Sequence, residues 1–169
     1  MTMTALNCAV LTISDTRSAA EDTSGEYLSE AITAAGHALH SREIVQDNVY
    51  QIRARMSAWI ADPSIAVIIT SGGTGFTGRD STPEAISPLL DKEIYGFGEL
   101  FRQLSFDEIG SSTIQSRALG GLANATLIFC LPGSTGAAKT GWEKIIRNQL
   151  DVTFKPCNFA ELIPRFREQ

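Results

Sequence analysis

Ile65-Ala66-Val67-Ile68-Ile69-Thr70-Ser71-Gly72-Gly73-Thr74-Gly75 reads as a strand that delivers its end into a glycine-rich turn. Residues Ile65 to Thr70 are apolar and mostly β-branched, with no polar alternation. That pattern fits a strand covered on both faces, as in a parallel sheet. The flanking chain supplies the rest of such a sheet. Ala5 to Ser14 is a similar buried run that ends in the polar stretch Asp15-Thr16-Arg17-Ser18. Thr23 stands three residues before Glu26 in a capping-box pattern. Tyr27, Leu28, Ala31, Ile32 and Ala35 then recur at helical spacing up to Gly36, a C-terminal stop. A strand over 38–45 ends at Gln46-Asp47-Asn48. A helix over 49–61 follows, with Ile52, Met56, Trp59 and Ile60 on one face, and Asp62-Pro63 ends it.

The order β-α-β-α-β predicts a three-layer α/β fold, a mostly parallel sheet with right-handed crossovers and helices on both faces. Ligands in such folds bind beyond the carboxyl ends of the strands. The segments after Ser14, Val45 and Thr70 all lie at such ends. Thr82-Pro83-Glu84 opens a further helix with proline at its first position. Residues 97–109 read as helical, and Thr126 to Leu131 as a last buried strand leading into Pro132-Gly133-Ser134-Thr135-Gly136. Trp142, Ile145, Ile146 and Leu150 fall on one face of the next helix. From about residue 151 the chain is an irregular tail with Pro156 and Pro164. No linker or repeat interrupts residues 1–169, which read as a single domain.

Composition narrows the function classes. The net charge is −5, and no basic stripe of the kind nucleic-acid binders carry is present. No apolar run reaches the roughly 20 residues needed to span a bilayer, and the N-terminus lacks a basic region followed by an apolar one. The expectation is a cytoplasmic protein with neither membrane nor nucleic-acid partners. Cys8, Cys130 and Cys157 are far apart, without CxxC spacing. With only two histidines, His37 and His40, neither a disulfide framework nor a zinc site is expected.

The chemistry lies in the loops. Gly72, Gly73, Thr74 and Gly75 could turn successive backbone N–H groups into one concavity that suits an anion. A tight strand-to-loop turn is the other reading. Gly73 to Gly78 also matches G-x-G-x-x-G, but here the helix waits until Thr82-Pro83, unlike the dinucleotide fingerprint. Gly133 to Thr140 resembles a P-loop but carries Ala138 where glycine precedes the lysine. What survives is a glycine turn entering a helix, which favours phosphate, with Lys139 either a cation beside it or a solvated surface lysine. Asp47 lies just past the second strand, and Asp80 a few residues past the glycines that follow the third. Each alone suits a cap or turn; together they suit Mg²⁺ on a nucleotide, an ion commonly held by one or two carboxylates plus phosphates.

At this point the residues resemble a known family. Gly72-Gly73-Thr74-Gly75 followed by Arg79-Asp80-x-Thr82-Pro83-Glu84 is similar to the signature of the MoaB/Mog molybdopterin-binding proteins. Ser14-Asp15-Thr16-Arg17, Asp22-Thr23-Ser24-Gly25, Asp47, Ser116-Arg117 and Pro132-Gly133-Ser134 match as well. Gly96 to Arg102 with Ser105-Phe106, and the tail Pro156-Cys157-Asn158-Phe159, point to the protein B branch of that family.

The resemblance implies molybdenum cofactor biosynthesis: molybdopterin is bound and adenylylated with Mg·ATP, and pyrophosphate leaves. It implies Asp47 and Asp80 as catalytic, Mg²⁺-holding residues and Gly72 to Gly75 as the nucleotide-phosphate loop. Ser116, Pro132, Gly133 and Ser134 fall on the molybdopterin side. Ser14, Asp15, Ser24, Arg79 and Glu84 are further site candidates. The family also implies a homotrimer or homohexamer, with other cofactor-biosynthesis proteins as partners. A non-catalytic molybdopterin-binding or scaffolding protein is the alternative. Phosphate chemistry on an acidic chain is consistent with backbone N–H donors doing the binding, the first glycine loop serving the nucleotide and the second the pterin.

Overall fold

The computed structural model describes residues 5–168. In chain order its elements are β1 (Asn7–Ile13), α1 (Thr23–Ala34), β2 (Ala38–Val45), α2 (Val49–Ala61), β3 (Val67–Ser71), α3 (Thr82–Ile86), β4 (Lys92–Glu93), α4 (Tyr95–Ile109), β5 (Leu119–Ala123), β6 (Thr126–Leu131) and α5 (Thr135–Gly141). The last helix runs on through a π-helical turn, Trp142–Ile146, to Gln149.

The six strands form one sheet in the order β2-β1-β3-β6-β5-β4. β2, β1, β3 and β6 are parallel, while β5 runs antiparallel to β6 and β4 antiparallel to β5. Side chains on a strand alternate between faces, so an unbroken apolar strand serves two cores at once. Val10, Val67, Ile69, Leu127 and Phe129 point into a core shared with α1, α4 and α5. Leu11, Ile68, Ile128 and Cys130 point into a second core under α2 and α3. This is the three-layer arrangement expected. Cys8 and Cys130 are buried in these cores, and burial pushes both thiols up to about 12. They act as small apolar groups.

One local expectation is corrected. The cap of α1 is Asp22, not Thr23: the Asp22 carboxylate accepts from Gly25 N–H at 3.0 Å. That carboxylate is buried and also accepts from the Thr12 hydroxyl and from Arg42, so burial leaves it fully partnered. The helix opened by Thr82-Pro83 is only one turn, giving way to a 3₁₀ turn at Ser87–Leu89. β4 and β5 lie beyond the strands read from the sequence. The tail contributes Phe159, Ile163 and Phe166 to the first core although its only regular piece is a 3₁₀ turn, Ile163–Arg165.

The chain leaves β1 through α1 to β2 on one side, then returns through α2 to β3 on the other. The order therefore reverses between β1 and β3, and a crevice opens at their carboxyl ends. The register pairs Ile13 with Val45, Thr12 with Ser71, and Ser71 with Leu131. The four loops that follow these strands accordingly share one rim.

His37 is buried at the opposite end of the sheet, and its Nδ1 accepts the Leu6 N–H at 3.3 Å. That bond requires Nδ1 to be unprotonated. Burial holds the imidazole below its ordinary value of 6.5, with Asp151 opposing. A lowered histidine pKa favours the neutral form in the folded state. Its contribution is therefore present above pH 6.5 and lost as pH falls through the folded-state value. Urea midpoints are expected to drop between pH 7 and pH 5, and His37→Gln to flatten that drop.

Candidate functional site

The site is built where the β1 and β3 loops cross. Gly72 (φ +112°) and Gly73 (φ +66°) adopt backbone conformations that side chains disfavour. A Cβ on Gly72 would run into the Ile13 carbonyl, and one on Gly73 into the Thr82 hydroxyl and, at 2.7 Å, Asp47 Oδ2. Gly133 lies against Gly72, whose Cα would be 3.3 Å from a Cβ there. The two glycine loops are thus in contact. The Gly72 amide is committed to the Leu131 carbonyl at 2.9 Å, so this glycine provides close approach rather than a donor. At Gly72 the tight-turn reading therefore holds.

Asp47 and Asp80 come to the same turn. Asp47 Oδ1 accepts from Ser81 N–H at 3.0 Å and from the Ser81 hydroxyl, while Oδ2 stands beside Gly73. Asp80 Oδ2 accepts the Thr77 N–H at 2.8 Å and its hydroxyl at 2.6 Å, and the carboxylate flanks Gly75. Burial pushes the Asp80 pKa up. Bonds from the Thr77 side chain and backbone, the Gly75 backbone and the nearby Arg117 charge outweigh that and leave it below the ordinary carboxylate value. Asp80 is an anion at any physiological pH.

The other candidates fall into two groups. Asp15 ties three loops together: it pairs with Arg79 through Oδ1 at 2.8 Å and Oδ2 at 2.9 Å, and its Oδ1 accepts the Asp47 N–H at 3.1 Å. The Arg79 bonds hold its pKa down. Glu84 pairs with Arg117, and that bond likewise lowers its pKa. Asp15, Arg79 and Glu84 therefore hold the frame. Ser24 is buried beneath the site, bonded to Arg17 and Ser71.

Ser14, Ser116, Pro132, Gly133 and Ser134 line a cavity of about 510 Å³ together with Gly72 to Gly75 and Asp80. Ser134 caps α5, accepting the Ala137 N–H at 3.1 Å. Its own hydroxyl hydrogen stays available. Ser134→Ala is expected to lower stability by about 1 kcal/mol through cap loss, measured as a urea-midpoint shift.

Two arginines carry more of the site than the sequence indicated. Arg117 clamps the glycine turn: Nε donates to Gly75 O at 2.7 Å, Nη2 to Asp80 O at 3.1 Å, and its N–H to Thr74 O at 3.0 Å. Its guanidinium also covers the Phe76 ring. Arg17, in the stretch just after β1, lines the cavity. Its position beside a strand end and its place in the family-like stretch Ser14-Asp15-Thr16-Arg17 hinted at that. Lys139 of the P-loop-like stretch is exposed and lies 5.6 Å over the Tyr27 ring on α1, as a surface lysine would.

Residues 9–152 match the model of a family described as "Probable molybdopterin binding domain". Molybdenum cofactor biosynthesis protein B of Escherichia coli K12 is 54% identical over 151 residues, which span 89% of each chain. A solved structure of a molybdenum cofactor biosynthesis protein B superposes with a TM-score of 0.89 at 40% identity, covering all of both chains. The tungsten cofactor synthesizing protein MoaB of Pyrococcus furiosus superposes with a TM-score of 0.75 at 36% identity, over 83% of this chain and 90% of that one.

Proposed function

The chain belongs to the molybdopterin-binding-domain family of molybdenum cofactor biosynthesis proteins, and from that premise we propose that it binds molybdopterin and adenylylates it with Mg·ATP. One observation supports catalysis above all: Asp47 and Asp80 flank a single glycine turn at the point where the strand order reverses. A protein that only held the pterin would not need this pair.

In the proposed reaction an oxygen of the pterin phosphate attacks the α-phosphorus of ATP. The bond from that phosphorus to the bridging oxygen breaks, and pyrophosphate leaves. Such transfers depend on positioning and charge neutralisation more than on covalent help. The donor set fits Mg²⁺, because two carboxylates beside a phosphate loop are its common protein ligands. Bound there, the ion supplies charge neutralisation on the phosphates. The chain's own part is to hold these carboxylates in place: Ser81 fixes Asp47, Thr77 fixes Asp80, and Asp15 spans the loops between them. The Gly133-Ser134 side is left for the pterin.

The test is pyrophosphate release from Mg·ATP by the purified protein with and without molybdopterin. Release that requires the pterin supports the proposal. Pterin binding without release moves the protein to the non-catalytic alternative.

We extend the proposal to a homotrimer or homohexamer. Tyr95, Phe106 and Ile109 share an exposed face of α4, with Leu100 and Ile114 exposed nearby, an excess of apolar surface for one helix. Phe97 and Phe101, by contrast, belong to the core. Light scattering at micromolar concentration is expected to give a mass several times 18.2 kDa, and a monomer mass counts against it. Among the described residues no helix is long and apolar enough to cross a membrane.

A further inference from the structure

The cavity must accept anions, yet most of the cations near it are already committed. Arg79 is paired with Asp15, and Arg117 with Glu84 and the carbonyls of Gly75 and Asp80. Lys139 faces Tyr27. Among the described residues Arg17 is the only lysine, arginine or histidine that lines the cavity, and it makes no ion pair there.

Arg17 is also held in place. Its Nη1 donates to Ser24 Oγ at 3.0 Å, and Ser24 is buried and bonded at 3.0 Å to Ser71 Oγ. The Pro132 carbonyl, 3.4 Å from Ser71 Oγ, is the second acceptor within reach of that hydroxyl's single hydrogen. The Arg17 backbone N–H is fixed by Ser14 Oγ at 3.1 Å. One bond to a neutral hydroxyl leaves most of the five guanidinium donors unused. The anchoring chain leads to Pro132, so the charge sits toward the Gly133-Ser134 end, away from the Thr77–Asp80 end.

We propose that Arg17 is the substrate-binding cation of this site, receiving the phosphomonoester of the pterin through charge-assisted hydrogen bonds. The inference rests on the molybdopterin reading. A fork of donors preset by Ser24 matches the oxygens of a terminal phosphate. It also answers the charge problem: Asp47 and Asp80 at the nucleotide end would repel a dianion, and Arg17 offsets this at the pterin end.

The experiment measures equilibrium binding of molybdopterin and of its dephosphorylated form to wild type, R17Q and R17K. R17Q is expected to weaken the phosphorylated ligand by about tenfold, the loss of a charge-assisted hydrogen bond, and to leave the dephosphorylated one unchanged. R17K is expected to fall between. Equal weakening of both forms, or of neither, overturns the proposal. Should R17Q fail to fold, R17K and S24A carry the same comparison, since each loosens the fork without removing the charge.

A wild type that binds neither pterin counts against the functional reading, and titration with inorganic phosphate then decides on Arg17. Saturable binding lost in R17Q upholds the assignment. Identical isotherms in wild type and R17Q, including two that show no binding, overturn it.

Discussion

Asp80→Asn is expected to reduce molybdopterin-dependent pyrophosphate release by about a hundredfold or more, the scale of losing one preorganised electrostatic group, with molybdopterin affinity little changed. The substitution is nearly isosteric. An asparagine oxygen can still accept the Thr77 N–H and hydroxyl that now bond Asp80 Oδ2, so the turn keeps its shape. What disappears is the negative charge beside Gly75, and with it the proposed hold on Mg²⁺ and the nucleotide. The wild-type carboxylate lies below its ordinary value of 3.8. The activity profile should therefore place the midpoint of any acid limb from this residue below pH 3.8. Asp47→Asn should behave alike, because its oxygen can keep both Ser81 donors while the charge beside Gly73 is lost. Wild-type turnover in both variants would reduce these residues to turn formers and sink the metal assignment.

The parallel half of the fold was legible because β1, β3 and β6 are packed on both faces, and that demands unbroken apolar runs. The antiparallel half was hidden for equally physical reasons. β5 contains Gly120 and Gly121, where a side chain would strike Phe97 and Leu90, so its pattern lacks the residues that mark a strand. Its hairpin to β6 turns through Asn124 (φ 47°) and Ala125 (φ 66°). Two positive-φ residues suit a two-residue hairpin, but the usual signal is Asn-Gly, and alanine in the second place conceals it. β4 is two residues long and exists only through its pairing with β5. At the site, Asp47 could be picked out because it follows a strand closely in sequence, and Asp80 because it stands a few residues past the glycine-rich turn. The bond from Arg79 to Asp15 spans 64 residues, and the one from Arg117 to Gly75 spans 42. No spacing rule reaches that far, so the frame that orients the aspartates became visible only once the loops were assembled. The same is true of Arg17, whose value comes from Ser24 and Ser71 beneath it.

Gly72→Ala and Gly73→Ala, neighbours in one loop, are expected to fail in different ways. At Gly72 the obstacle is backbone. The added methyl would press on the Ile13 carbonyl at the end of β1, and φ is +112°. Neither can relax without separating β1 from β3, and the Gly72 amide also extends the β3–β6 pairing through its bond to the Leu131 carbonyl. Strained φ and overpacking each cost about 1–3 kcal/mol, so a loss of roughly 2–5 kcal/mol in urea unfolding is expected. Because Gly72 also touches Gly133, affinity for nucleotide and pterin should fall together. At Gly73 the obstacles are side chains, the Thr82 hydroxyl and the Asp47 carboxylate. These can move, so stability should fall less. The displaced carboxylate is one of the proposed catalytic pair, however, so adenylyl transfer and nucleotide binding should suffer while the pterin end keeps its shape. Gly73→Val should exaggerate the same selectivity through its branched side chain. Calorimetry with each ligand separates the cases. Equal nucleotide and pterin losses in the Gly73 variants would mean that the two glycine loops form one undivided anion site, and the assignment of the first loop to the nucleotide would have to be withdrawn.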